Sequence, residues 1–307
     1  MKKLEVRGKK LKVRKIIKDT RFILLISLFL LLTSSLFANF IGMNWGARPM
    51  AMGEAYVALA DDPSAVFWNP AGLAKISQYS LVASHQNLYG VQDLYNEMVA
   101  VSIPLPKVRT GFGWTQINLL NEYSEQVISL SGASIIWIKN FPIRFGVSLK
   151  NTSANVSGYS NIDCPSTGFI GVDIPGKFDM DIGLLANPGK KLSVGFSVRN
   201  LIERTFSFIN SEDKIARNYA LGLCYHWRDV VNFLADYNWD NDNSSWHLGG
   251  EMWFFDVFAP RIGVCGDNLT AGFGIRAKNW NVDGAVLAHD ELGSTYRISV
   301  GLRFGGR

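Results

Sequence analysis

Leu192-Ser193-Val194-Gly195-Phe196-Ser197-Val198-Arg199 reads as a β-strand with two unlike faces. Side chains alternate across a strand with a period of two, so Leu192, Val194, Phe196 and Val198 share one side, and Ser193, Gly195, Ser197 and Arg199 the other. The pattern recurs in both directions along the chain. Tyr219, Leu221, Leu223, Tyr225 and Trp227 alternate with Ala220, Gly222, Cys224 and His226, and Ile143, Phe145, Val147 and Leu149 with Arg144, Gly146, Ser148 and Lys150. Near the C-terminus Tyr296, Ile298, Val300, Leu302 and Phe304 alternate with Arg297, Ser299, Gly301 and Arg303. In the cleanest strands the charges Arg144, Asp179, Asp181, Arg199, Glu251, Arg276, Arg297 and Arg303 all fall on the small or polar face. A Lys or Arg at mid-bilayer costs about 2–4 kcal/mol, so a charge-free greasy face suits lipid and the mixed face suits a lumen.

Carried along the chain, the alternation predicts strands at 79–86, 96–105, 107–117, 126–138, 143–155, 177–186, 190–200, 215–228, 230–239, 245–254, 257–265, 268–277, 280–289 and 293–304. These are about fourteen, an even number; at about ten residues each and a tilt near 40° they give about 25 Å of height, that of a membrane barrel's apolar band. Connections alternate between long (87–95, 118–125, 156–176, 201–214) and short (Lys139 to Pro142, Asn187-Pro188-Gly189, Arg228-Asp229, Lys278-Asn279), and after the ninth strand both rims are short. One exterior rim and one rim of tight periplasmic turns account for this. Trp114, Trp137, Trp227, Trp239, Trp246, Trp253, Trp280, Tyr237 and Tyr296 cluster near strand ends, where headgroup girdles would place them. The expected fold is all-β: a transmembrane antiparallel β-barrel of about fourteen strands.

Before the strands stands an export leader. Lys2 to Arg21 is dense in Lys and Arg, Phe22 to Leu32 is apolar, and Thr33 to Ala38 offers a cleavage site, so residues 1–38 read as a signal peptide. The alternative is an uncleaved anchor, because Phe22 to Ala47 carries no charge. The leader holds ten of the 31 Lys and Arg and two of the 26 acids, which leaves 21 against 24, a net −3 for the remainder. That balance excludes a basic nucleic-acid footprint. Cys164, Cys224 and Cys265 are too few and too scattered for a disulfide framework, and wall positions are expected for Cys224 and Cys265.

No constellation points to catalysis. His85, His226, His247 and His289 lie in separate strands without metal-ligand spacing, and read as satisfied wall histidines. Asp61-Asp62 before Pro63 suits a helix end and a turn better than acid–base work. Gly111-Phe112-Gly113 and Gly249-Gly250 are not followed by a helix, so they read as relief of crowding on the lumen face rather than as phosphate loops. No catalytic residue, metal or cofactor is expected, and the chain does not read as an enzyme.

Residues 39–78 differ from the rest. Met52, Ala55, Tyr56 and Leu59 have helical spacing within Pro49 to Ala60, Asp61-Asp62-Pro63 ends the run, Ser64 to Trp68 is a second short turn, and Asn69-Pro70-Ala71-Gly72-Leu73 reads as a compact turn. A compact apolar segment ahead of a barrel is expected in its lumen. Gly46-Ala47-Arg48, Met52-Gly53, Ala55 to Ala58, Ala60-Asp61-Asp62 and Ser64 to Ala74 resemble the opening signature of the PorV/PorQ family, a branch of the FadL-like outer-membrane barrels. The resemblance implies a fourteen-stranded barrel, here 79–307, whose partly helical N-terminal hatch, 39–78, occludes the pore. Asn69, Pro70, Ala71 and Gly72 would form the hatch turn, and Gly53, Asp61 and Asp62 would belong to the same plug. It further implies a bacterial outer-membrane location, lipid and the barrel-assembly machinery as partners, and either a gated route for a hydrophobic solute or a role in type IX protein secretion carrying an exported protein. A pore-less surface β-protein is the remaining alternative. Glu54 departs from the family's usual small residue, and Gly305-Gly306-Arg307 replaces the usual final aromatic. The apolar connection 201–209 adds Phe206 and Phe208 as candidate contacts for a greasy ligand.

Overall fold

Fourteen strands close into one antiparallel barrel, each paired with its neighbour around the ring. The computed structural model describes residues 45–119, 123–139, 141–156, 172–207, 212–289 and 292–305. The leader 1–38, residues 39–44, Cys164 and Phe208 lie outside the described residues. The barrel strands are β1 (Tyr79–Asn87), β2 (Leu94–Pro104), β3 (Arg109–Leu119), β4 (Tyr123–Ile138), β5 (Phe141–Val156), β6 (Val172–Gly189), β7 (Leu192–Arg199), β10 (Asn218–Trp227), β11 (Val231–Trp239), β12 (Ser244–Met252), β13 (Phe258–Cys265), β14 (Asn268–Arg276), β15 (Trp280–His289) and β16 (Gly293–Phe304). The seam pairs β1 with β16, from Tyr79 opposite Phe304 to Asn87 opposite Tyr296. Closure leaves no edge strand, which a sheet in lipid requires.

The two faces sort as the alternation dictates. Leu130, Ile262, Leu269, Tyr296 and Ile298 point outward and are exposed, while Ser148, Ser197, Asp236, Glu251, Arg261 and Arg297 point inward and are buried. An exposed apolar band with polar residues inside is the surface of a bilayer-spanning barrel. His85 and Glu97, 3.6 Å apart, form an exposed polar pair on the outer face of β1 and β2, near one rim. Trp227, Trp246, Trp280 and Tyr296 lie outward as a girdle requires. The girdle expectation fails elsewhere. Trp114 sits in mid-strand, and Trp253 turns toward the lumen side, where Arg276 stacks on it at 3.9 Å, whereas Trp137, exposed at the end of β4, fits the girdle.

Connection 200–217 contains a small hairpin, β8 (Thr205–Ser207) with β9 (Glu212–Lys214), that is separate from the barrel. It was not anticipated as a sheet of its own. Its Phe206 is buried, with the Lys177 ammonium 5.2 Å above the ring, so this aromatic closes the hairpin rather than lying open.

Residues 45–78 lie inside the cylinder. Helix α1 (Ala47–Ala51) packs on β13 to β16, and a 3₁₀ helix (Pro70–Lys75) packs on β3 to β6. Between them α2 (Ala65–Trp68) meets β3 and β4, and the backbone of Met52 to Ala58 runs past β7, β10, β12 and β13. A segment touching lumen-facing residues around the whole ring has nowhere to be but within it. Tyr56, Met50, Met52 and Leu73 are fully buried there, and each such side chain contributes about 1.5–3 kcal/mol.

The long first helix expected over Pro49 to Ala60 is not formed. Only Ala47–Ala51 is helical, and turns follow. Gly53 takes φ +62° while its backbone lies against Leu248 and Val264, where a Cβ would overlap both carbonyl oxygens, and Glu54 follows at φ +65°. The wall dictates the backbone there, and tertiary contact overrides helical spacing. Asn69 to Leu73 does form the compact turn expected of it.

Candidate functional site

The chemistry of the molecule lies where the inner segment meets the wall. Its hub is Arg48, on the short helix α1. The guanidinium donates to both Glu251 oxygens, Nε to Oε2 and Nη2 to Oε1, each at 2.9 Å, and its Nη1 reaches Asp61 Oδ1 at 2.5 Å. Glu251 also accepts from Arg261 Nε at 2.7 Å, and Arg261 passes the chain on to Asp283 at 2.6 Å. The side chains of Glu251 and Arg261 have no exposed surface, so each charge depends on its partners. Burial would raise the Asp61 carboxyl, but the Arg48 and Lys75 charges beside it hold it below its ordinary value. Asp61 thus contributes fully above about pH 4, and the contribution is lost as pH falls through its own lower value. We predict that planar-bilayer conductance rises slightly and reversibly on acidification below that point, since the contact is partly screened by solvent; a flat response across it would remove the Asp61–Arg48 contact from the interactions that hold the segment.

Around this hub the segment is pinned by hydrogen bonds to lumen side chains. Ala47 N–H donates to Ser299 Oγ at 2.8 Å, Gly53 N–H to Thr270 Oγ1 at 2.9 Å, and Val57 N–H to Asp236 Oδ2 at 2.8 Å. Short irregular backbone has unpaired donors, and polar residues on the wall's inner face satisfy them. Wall glycines make the approach possible. A Cβ on Gly146 would overlap the Pro70 carbonyl carbon and Ala71 N, and one on Gly249 the Met52 carbonyl oxygen. Gly111 and Gly113 likewise relieve crowding, as their sequence context suggests, but the crowding comes from the inner segment. Gly250 departs from that reading, facing outward with its nearest neighbour atom 4.0 Å from a built Cβ.

The residues assigned to the plug in the sequence take distinct positions. Asn69 is fully buried: its Nδ2 donates to Val57 O at 2.8 Å and Leu184 O at 3.1 Å, and its Oδ1 accepts from Ala71 N at 3.1 Å. It therefore joins two parts of the segment to β6. Pro70 and Ala71 are buried beside Gly146, and a Cβ on Gly72 would overlap the Ala60 carbonyl. Asp62 accepts from Ser64 N and Oγ at 2.8 and 2.5 Å, closing the turn ahead of α2, while Asp61 turns to Arg48. The adjacent acids thus serve a turn and an ion pair. Lys75 donates to the carbonyls of Ala58 and Leu59, and burial pushes its ammonium down to about 8.

Asn69→Leu keeps the volume and removes all three bonds. At about 1 kcal/mol for each net bond, with further cost for the orphaned carbonyls, we expect a loss of about 3 kcal/mol. The check is the midpoint of heat-modifiability on a gel; a midpoint equal to that of the natural chain would mean the Asn69 turn carries no stability.

Sequence reasoning missed Arg48, Glu251, Arg261 and Asp283 as one connected set, and the grouping of His247 with Glu54 and Cys265. His247 is a satisfied wall histidine, with its Nδ1 bonding Gly53 O and its Nε2 bonding Ser245 Oγ, each at 2.9 Å. Cys224 and Cys265 are both free thiols on the lumen face.

No protein-family model matches the sequence, and no curated protein matches it. Solved structures do. A Pseudomonas aeruginosa FadL homologue is 14% identical with a TM-score of 0.61, over 87% of this chain and 100% of that one. The CymD monoaromatic hydrocarbon channel is 12% identical with a TM-score of 0.62, and the Ralstonia pickettii toluene transporter TbuX 14% identical with a TM-score of 0.59, each over 87% of this chain and 100% of the other. At such identities the likeness is one of architecture: the chain has the fold of the FadL- and TodX-type barrels.

Proposed function

We propose that the protein is a bacterial outer-membrane channel of the FadL-like kind, exported by the leader 1–38, in which residues 39–78 act as a hatch within the barrel 79–307. The observation that carries this reading is how the inner segment is held: by hydrogen bonds and one chain of ion pairs, which can exchange, and with Cys224 and Cys265 unbridged. A hydrophobic solute, the class named for the CymD and TbuX proteins, would pass when those contacts let go. Asn69, Pro70, Ala71 and Gly72 form the turn that seats the hatch on β5 and β6. Gly53 sets its close approach to β12 and β13, Asp61 and Arg48 its latch, and Asp62 the turn before α2. Phe206 and Phe208 remain candidate contacts for the solute at the mouth, and Phe206 would serve once Lys177 moves aside.

The test compares bilayer conductance and cellular toluene uptake for the full chain and for a chain lacking 39–78. Conductance should rise on removal, and uptake should depend on the protein. Unchanged conductance would discard the hatch, and recovery of the mature chain from periplasmic extracts without detergent would discard the outer-membrane barrel.

A second reading follows from the residues that resemble PorV/PorQ. There the tightly seated segment would stay in place, and the barrel would carry or dock an exported protein. Loss of protein secretion on deletion, with toluene uptake unchanged, would favour it.

A further inference from the structure

Glu54 of the inner segment meets His247 and Cys265, partners on the adjacent strands β12 and β13, where the segment presses on the wall. One oxygen of Glu54, a ring nitrogen of His247 and the sulfur of Cys265 lie within 4.8 Å of one another. Tetrahedral zinc, with bonds of about 2.0–2.3 Å, holds its ligand atoms about 3.3–3.8 Å apart, so small side-chain rotations close the set. We propose that these three residues bind one divalent transition-metal ion of the zinc class in the lumen.

Three observations support the site. Glu54 is 95% buried, being 5% exposed, and its Oε1 has no hydrogen-bond partner among the described residues, while the Cys265 thiol bonds the same carboxylate. A buried carboxylate oxygen without a partner is costly, and an ion would supply one. His247 is already oriented. The Gly53 carbonyl at 2.9 Å can only accept, so Nδ1 is the protonated nitrogen and Nε2 keeps its lone pair, with the Ser245 hydroxyl 2.9 Å away as the group an ion would displace. A ligating histidine that donates its other N–H to a carbonyl is the usual outer arrangement of a metal site. Glu54 itself is held in a left-handed conformation by the Gly53 approach, which aims its side chain at the pair.

The surroundings select the metal. The charges of Arg199 and Arg297 act on Glu54 and offset it, so the site is not strongly anionic, as an oxygen site for Ca²⁺ or Mg²⁺ would need to be. Imidazole and thiolate favour the zinc class. Binding would release the Cys265 proton and leave thiolate and carboxylate balancing the two positive charges of the ion. Because Glu54 belongs to the inner segment and the other two to the wall, the ion would staple one to the other. The site needs only the fold, whereas a closing role for the staple rests on the hatch reading.

The test uses the full-length protein, stripped with chelator and titrated with Co²⁺. One equivalent should give tetrahedral d–d absorbance and a thiolate-to-cobalt band, abolished in Cys265→Ser and His247→Gln and retained in Cys224→Ser. No thiolate band, or a band that survives Cys265→Ser, overturns the proposal. Should those variants fail to insert, Zn²⁺ should protect Cys265 but not Cys224 from maleimide in the natural chain, and equal labelling overturns the site. Conductance with Zn²⁺ and with chelator separates the two readings: binding with no change in conductance keeps the site and removes its closing role.

Discussion

Arg48→Met is expected to open the barrel. Arg48 is the only group among the described residues that donates from the inner segment to Glu251, and the Glu251 side chain is wholly buried while that of Arg48 is 15% exposed. Breaking one partner of a buried, hydrogen-bonded pair costs about 3–5 kcal/mol. The Asp61 side of the contact is 34% exposed, so solvent screens it and it adds little to that figure. If the cost falls on the seated state, the population with the segment displaced rises by about 10²- to several 10³-fold. Single-channel recording should show this as a raised open probability. Glu251 keeps Arg261, so the wall network survives and the barrel itself should remain heat-modifiable. Arg48→Lys retains a charge but not the two parallel bonds, and should give an intermediate conductance. An Arg48→Met channel as quiet as the natural one would show that the ion-pair hub does not hold the segment.

The second large effect separates adjacent residues. Gly249→Val should dislodge the segment and Gly250→Val should do almost nothing. A Cβ on Gly249 would run into the Met52 carbonyl and lie 2.9 Å from Met52 Cβ, whereas one on Gly250 points outward into space that lipid fills. Overpacking typically costs about 1–3 kcal/mol, and here the obstacle is backbone that cannot rotate away, which places the effect at or above the upper end. The expected readout is raised conductance and earlier unfolding on heating for Gly249→Val, with Gly250→Val matching the natural chain or gaining slightly from added lipid-facing surface. Equal behaviour of the two variants would mean that the inner segment does not press on β12.

The barrel was legible because its signal is local and repeated. A period of two, a charge-free face and turns at regular intervals are each written within a few residues, and the strand boundaries fall close to those expected. The Asn69 turn was legible for the same reason, its Pro and Gly chemistry being self-contained. The first plug helix was misread because Met52, Ala55, Tyr56 and Leu59 do have helical spacing; what breaks the helix is the approach of Gly53 to Leu248 and Val264, which no local pattern encodes. Arg48 and Glu251 are 203 residues apart, and a pair formed across a lumen leaves no trace in spacing. The one available signal was that Glu251 and Arg297 share the inward face, which requires partners from inside the ring. His247 was placed as a wall residue, and its neighbours Glu54 and Cys265 could be found only once the segment's path was known.

The segment inside the cylinder precedes every strand of the barrel in the chain. Ala47 bonds Ser299, 252 residues later, on the strand that completes the seam with Tyr79. Contacts of such sequence separation form late and slowly. The seating of Ala47 therefore cannot be completed before β16 is in place beside β1. Closure of the ring and the final lodging of Ala47 share one strand, so Ser299→Ala should loosen the start of the segment in the finished barrel while leaving its heat-modifiability in place.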